Sequence, residues 1–255
     1  MRKLLVLFIF QLMTLSAMPP PLRVGMELSY PPFEMVCNDG ASCGISVDIA
    51  SEFGKFLQRE VKIENISFIG LIPSLKNGTV DLIISSLTIT DQRQKAIDFS
   101  IPYATTGLCL LLSKNSKIES IDQANTKGIT IVVKSGTSGE LYALKHLQKA
   151  TVRILDKEAM CVVEVIQGKA DAFIYDQLSI YTNWQKNLNT TKANLIPFQK
   201  ESWAFGIKKN NQELVEQSNQ FIKKFREEGG FEKLAEKYLP EQRKAFKDLG
   251  VPFVF

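Results

Sequence analysis

Histidine is almost missing from this chain, with His146 the only one in 255 residues, and the four cysteines contain no C-x-x-C pair. A zinc site would have almost no ligands to draw on, which nearly excludes metal chemistry, and no cofactor is expected. With 15 Gly and 10 Pro, and neither a low-complexity tract nor a fixed-period repeat, collagenous, disordered and solenoid classes fall away. An excess of one charge is missing too. Lys and Arg number 31 against 27 Asp and Glu, so the net +4 drops to +2 without Arg2 and Lys3, and nothing demands nucleic acid. What is present is a globular composition, 45% apolar and 23% charged, of a length that suits two ordinary domains once a leader is set aside.

That leader is expected at residues 1–17. Met1-Arg2-Lys3 supplies a positive start, Leu4 to Met13 an apolar run broken only by Gln11, and Thr14, Ser16 and Ala17 a small, polar end. The run is well short of the roughly 20 residues that span a bilayer, so it suits a secretory signal rather than an anchor. Met18 stands where a lipid-modified protein would need cysteine, so a soluble periplasmic protein is expected. An oxidising compartment permits bridges. Cys37 and Cys43 flank the turn Asn38-Asp39-Gly40, which would lay two short strands side by side. A small-loop disulfide and a pair of reduced thiols both remain open there, because sequence does not report a Cα separation. Cys109 and Cys161 lie in apolar surroundings and are expected to be buried and unpaired.

From Leu22 strand and helix patterns alternate. Strands are expected at 22–26, 61–66 and 80–85, with helices at 45–57 and 70–77, the second stopped by Gly78. The alternation restarts after Ser113, with strands at 129–134, 152–155 and 170–175 and helices at 138–149 and 157–167. Such alternation implies two α/β units with parallel sheets. Extended apolar stretches at 102–112 and 196–207 separate them, and helices at 212–228 and 231–238 follow. A chain that crosses twice between two lobes forms a hinge and a cleft, and parallel sheets bind ligands beyond their strands' carboxyl ends. The tail 240–255 carries no signal.

Several residues near those strand ends could carry chemistry. Arg93 falls in a first helical turn after Thr90 or Asp91, where partial positive charge disfavours a cation unless an anion sits nearby. It is either a carboxylate grip, with Ser86 and Thr88 adding hydroxyls, or an ordinary surface arginine. Lys134 to Glu140 joins strand to helix through a glycine turn, leaving amides free at Thr137 and Ser138, which suits an anion or a plain connection. The run lacks the ending of a phosphate-binding P-loop. Asp176, at a strand's carboxyl end, could receive an ammonium or simply cap a helix. Tyr30 and Phe68, beside proline-containing turns, could stack on a ligand or fill peripheral core.

The passages 27–34 (ELSYPPFE), 68–76 (FIGLIPSLK) and 85–100 (SSLTITDQRQKAIDFS) together resemble the polar amino-acid binding proteins of ABC importers, solute-binding family 3. The resemblance continues through Lys134 to Ser138, Gly168 to Ala172, Asp176 and Glu228 to Phe231. It implies an α/β two-lobed periplasmic binding protein fold of type II. Lobe one would take 22–103 and 206–255, lobe two 108–200, and the hinge 103–107 and 201–205. Arg93, Thr88 and Ser138 would hold a ligand α-carboxylate, Asp176 and Ser86 its α-ammonium, and Tyr30 and Phe68 would sandwich its side chain. One departure is local: the family often shows Phe-Asp-hydrophobic-Asp where Ile45-Ser46-Val47-Asp48 keeps only the second acid.

By the same resemblance Glu27 and Lys134 line the side-chain end. Glu27 would accept from an amide or guanidinium, while Lys134 would donate to a carbonyl and repel a cation, so a glutamine-like ligand ranks first and arginine second. The expected role is a monomer that passes a free amino acid to a separate permease in the inner membrane. The rival is an exported enzyme on the same scaffold, resembling cyclohexadienyl or arogenate dehydratase. It would need a general acid in the cleft, and no spare acid-base pair is evident from the sequence, so no catalytic residue is assigned.

Overall fold

The computed structural model describes residues 19–255, so the leader expected at 1–17 lies outside the described residues. Leu22, Val24 and Met26 are fully buried along the strand Leu22–Met26, which pairs in parallel with Val61–Asn65 on one edge and Leu82–Ile83 on the other. Between the first two strands the helix Ile45–Leu57 buries Ile45, Ile49, Ala50 and Phe53, a stripe at helical spacing. The helix Leu71–Asn77 stops at Gly78, whose positive φ of 81° costs glycine little.

Both lobes are built around five-stranded sheets. The first runs Val61–Asn65, Leu22–Met26, Leu82–Ile83, Gly206–Lys208, Ile97–Phe99. The second runs Thr151–Leu155, Thr130–Lys134, Ala172–Asp176, Ala104–Ser113, Thr191–Trp203. The expectation of parallel sheets holds for three strands in each. Gly206–Lys208 pairs antiparallel with its two neighbours in the first sheet, and Ala104–Ser113 with its two in the second. These strands arrive by crossing between the lobes instead of returning through a helix, so they enter in the opposite sense. The long pair Ala104–Ser113 and Thr191–Trp203 carries the chain out of and back toward lobe one, with Ala104 opposite Trp203.

The strand expected at 80–85 shortens to Leu82–Ile83, because the backbone leaves the ladder before Ser86, whose φ is 49°. Ser29–Tyr30, Glu34–Val36 and Ser42–Cys43 form a separate three-stranded sheet. Its second turn folds the chain back, and Cys37 and Cys43 are bridged with Cα atoms 5.9 Å apart. Cys109 and Cys161 are free and buried, as expected.

The tail is structured. The helix Pro240–Leu249 buries Phe246 against lobe one, and the same ring meets Tyr181 of lobe two edge to face at 5.3 Å. Beyond it Val254 accepts a hydrogen bond from the amide of Thr105, in the crossing strand, at 2.9 Å. No described helix is long and apolar enough to cross a membrane.

Candidate functional site

The strands of both lobes end against one narrow cavity of ≈ 40 Å³, which side chains of both lobes largely fill. Lobe one presents Glu27 just past Leu22–Met26, then Ser85, Ser86 and Thr88 past Leu82–Ile83, Phe68 from a 3-10 turn, and Arg93 from the helix Asp91–Ala96. Lobe two presents Lys134 and Asp176, the last residues of their strands, with Thr137 and Ser138 at a helix start. All ten candidate residues line this cavity, Tyr30 included.

Arg93 is not a surface residue. It is 6% exposed, and Thr90 caps its helix by accepting from the Arg93 amide at 3.2 Å. The guanidinium donates to the carbonyls of Thr88 at 2.6 Å and Gly136, across the cleft, at 2.9 Å. Burial lowers its pKa to about 10, opposed by the charge of Glu201. Gly136 sits at φ 78° with its Cα beside Ile69 of lobe one, where an added Cβ would come within 3.1 Å of that residue's backbone. A side chain there would be strained by that φ and would crowd Ile69 by a few tenths of an ångström.

Lys134 is 1% exposed and forms a cross-lobe ion pair with Glu27. Its ammonium and the Arg93 guanidinium lie 5.3 Å and 5.5 Å from the centre of the Phe68 ring, so Phe68 serves two cations. Tyr30 stacks on Phe33 at 5.3 Å and meets Tyr175 and Trp203 edge on. Asp176 does cap a helix, accepting from the amides of Leu178 at 3.1 Å and Ser179 at 3.0 Å through one oxygen. Burial raises the Asp176 carboxyl to about 7. Thr137 caps the next helix by accepting from Glu140, and its own amide turns back to the Lys134 carbonyl at 3.4 Å, so it is not free as expected.

Two acids escaped the sequence reading. Glu34 is 1% exposed and accepts from the hydroxyls of Ser46 at 2.5 Å, Ser85 at 3.1 Å and Ser86 at 3.4 Å. Burial raises it to about 8 despite those three donors. Ser46 stands at the position where the family often has an acid, and here it serves Glu34. Glu201, in the expected hinge, accepts from Thr88 of lobe one and Ser138 of lobe two, both at 3.0 Å. Burial raises its pKa as well. The cleft therefore holds two buried acids, Glu34 and Glu201, with pKa values raised by burial, that the sequence did not reveal. The signals were thin: an acid following Phe33 in a quoted motif, and an acid in a stretch marked as a crossing. Ser86, held at φ 49° against the preference of a non-glycine residue, stores strain where its hydroxyl meets Glu34. Among the described residues no group of three or more His, Cys, Asp or Glu is placed to hold a metal ion.

Residues 22–241 match the bacterial extracellular solute-binding proteins, family 3. The chain belongs to that family. Among relatives in the family, the L-cystine-binding protein of Escherichia coli (strain K12) is 28% identical over 217 residues, covering 85% of this chain and 82% of that one. The L-arginine-binding protein of Pseudomonas aeruginosa is 28% identical over 251 residues, covering 93% and 96%. Among solved structures, an ancestral arginine-binding protein bound to arginine superposes with a TM-score of 0.80 at 30% identity, covering 87% of this chain and 99% of that one. An ancestral amino acid-binding protein, a precursor of cyclohexadienyl dehydratase, gives 0.77 at 33%, covering 86% and 95%. The two-lobed architecture is the one these solute-binding proteins share.

Proposed function

We propose that this chain captures a free polar amino acid by lobe closure in the periplasm and delivers it, as a monomer, to an ABC permease in the inner membrane. The observation that carries this reading is charge placement: Arg93 of lobe one and Asp176 of lobe two face one buried cavity. A zwitterion reaches both only when the lobes are together, so its charge-assisted contacts are available in the closed form alone, and that difference drives closure. Arg93, with donors to spare beyond its two carbonyl contacts, takes the α-carboxylate with the backbone amides of Thr88 and Ser138. Asp176 and Ser86 take the α-ammonium, and Tyr30 and Phe68 bound the side chain. Residues 103–107 and 201–205 absorb the motion between lobe one, 22–103 with 206–255, and lobe two, 108–200.

The ranking of ligands turns on Glu27 and Lys134. The glutamine-first expectation let each act separately on the ligand, but the two neutralise one another across the cleft. The cavity is then lined by four acids, Glu27, Glu34, Asp176 and Glu201, against two cations, Arg93 and Lys134, and an incoming cation would favour the ionised form of the acids whose pKa burial raises. A ligand with a cationic side chain offsets part of that excess, and a neutral one offsets none. Arginine or lysine therefore ranks first. Glutamine ranks second, because an amide inserted between Glu27 and Lys134 donates to one and accepts from the other.

Titration calorimetry against the twenty amino acids tests this directly, with arginine or lysine expected to bind most tightly. Glutamine binding with both cationic ligands silent would restore the first ranking, and silence toward all twenty would sink the capture reading. The raised pKa of Glu34 gives the enzyme reading an acid to work with, so prephenate and arogenate belong in the same series. Neither is expected to be converted.

A further inference from the structure

Glu201 lies on the crossing strand opposite Thr106, outside both lobes' ligand-facing turns, yet its carboxylate reaches the cavity and is only 7% exposed. One oxygen accepts from the Thr88 and Ser138 hydroxyls, and the other accepts from the Gln199 side-chain amide at 3.1 Å. A carboxylate offers about four acceptor directions, so these three bonds leave one unused. No cation is in direct contact with the carboxylate among the described residues. Arg93 lies close enough to interact with it, but the two recorded guanidinium bonds go to the carbonyls of Thr88 and Gly136, and Glu201 is in no ion pair among the described residues.

The consequence concerns the polarity of this corner of the cavity. A hydroxyl has a single proton to donate, and Thr88 and Ser138 both direct theirs at Glu201. What they have left is acceptor capacity, as has Glu201 itself. The two hydroxyls, which would otherwise serve a carboxylate, thus join Glu201 in an acceptor cluster, which suits N–H donors. Resting on the amino-acid reading above, we propose that Glu201 is a ligand-contacting residue that receives the α-ammonium group jointly with Asp176, so that the hinge itself supplies part of the recognition of an amine.

This assignment predicts a uniform effect on amino acids. Every one but proline carries the same primary ammonium, so Glu201→Gln, which keeps an acceptor for the hydroxyls but removes the charge, should weaken whichever amino acids bind by about tenfold to a hundredfold. Their ranking should hold. The desamino analogue of the tightest ligand, which lacks the ammonium, should lose less than threefold, roughly, on the same substitution. Calorimetry on the full mature chain reads all of these values, with circular dichroism confirming the fold of each variant. If the glutamine variant does not fold, Glu201→Asp, which keeps the charge but withdraws it by one methylene, reads the same contact with a loss of at least about tenfold expected.

Unchanged affinity would make Glu201 a structural link between Thr88 and Ser138 and overturn the assignment. Tighter binding would overturn it differently, by showing that Glu201 competes with the ligand carboxylate. Equal losses for the amino acid and its desamino analogue would also reject an ammonium contact. A wild-type protein that binds none of the twenty removes the amino-acid reading and this assignment together, whereas a binding wild type with an indifferent Glu201→Gln removes this assignment alone.

Discussion

Replacing Asp176 with asparagine should make the protein more stable and a poorer binder. The carboxyl is buried, and burial raises its pKa from 3.8 to about 7, chiefly by penalising the charged form. At ~1.4 kcal/mol per pKa unit, that rise corresponds to about 4 kcal/mol. Below about pH 3 the carboxyl is protonated in both folded and unfolded chains and contributes no difference. As pH climbs from 3.8 to about 7, the unfolded chain releases its proton while the folded one retains it, so stability falls through that window and the whole penalty is present above it. Asparagine has no charge to bury and caps a helix as well as aspartate does, so the amides of Leu178 and Ser179 keep their acceptor. Urea unfolding in the absence of ligand should therefore favour Asp176→Asn by about 4 kcal/mol at pH 8 and by less than half of that at pH 5. Amino-acid affinity should fall by about tenfold to a hundredfold, the worth of a charge-assisted hydrogen bond. An asparagine variant no more stable than wild type at pH 8, or an advantage of equal size at both pH values, would refute burial as the cause of the raised pKa.

Two further outcomes follow from the covalent and terminal fastenings of lobe one. Cys37 and Cys43 close a loop with a sequence separation of 6, so Cys37→Ser with Cys43→Ser should lower stability by about 2 kcal/mol in urea unfolding, with little change in ligand affinity. Phe246→Ala empties a fully packed position that touches Tyr181 of the other lobe, which should cost about 3–5 kcal/mol in the same assay; a loss below about 1 kcal/mol would show that the tail merely rests on the surface.

Much of the architecture was legible because local periodicity and tertiary burial agree. The helix Ile45–Leu57 and the strand Leu22–Met26 occur at the expected bounds, since one has its apolar stripe at helical spacing and the other keeps its apolar residues inside the sheet. The strand expected at 80–85 was less legible. Its apolar residues are buried, but Ser86 turns the backbone out of the ladder, and its hydroxyl there meets Glu34, 52 positions away in sequence. The tail was illegible for a related reason: the value of Phe246, Val254 and Phe255 lies in surfaces supplied by Tyr181, Thr105 and Phe33, none of them near in sequence.

The site divides in the same way. Residue type and position along the chain, aided by the family resemblance, were enough to select the ten candidates, because strand ends and helix starts are set by short-range pattern and a two-lobed fold directs them toward one cleft. Only the folded chain decided which of those groups neutralise one another. Glu27 and Lys134 lie 107 residues apart, Thr88 and Glu201 113, and they meet only because the fold brings distant segments to one cavity. Charge balance in a buried cavity is a sum over everything that lines it, so no stretch of sequence carries it, and the meeting of Glu27, Glu34, Asp176 and Glu201 around one cavity came into view only in the folded chain.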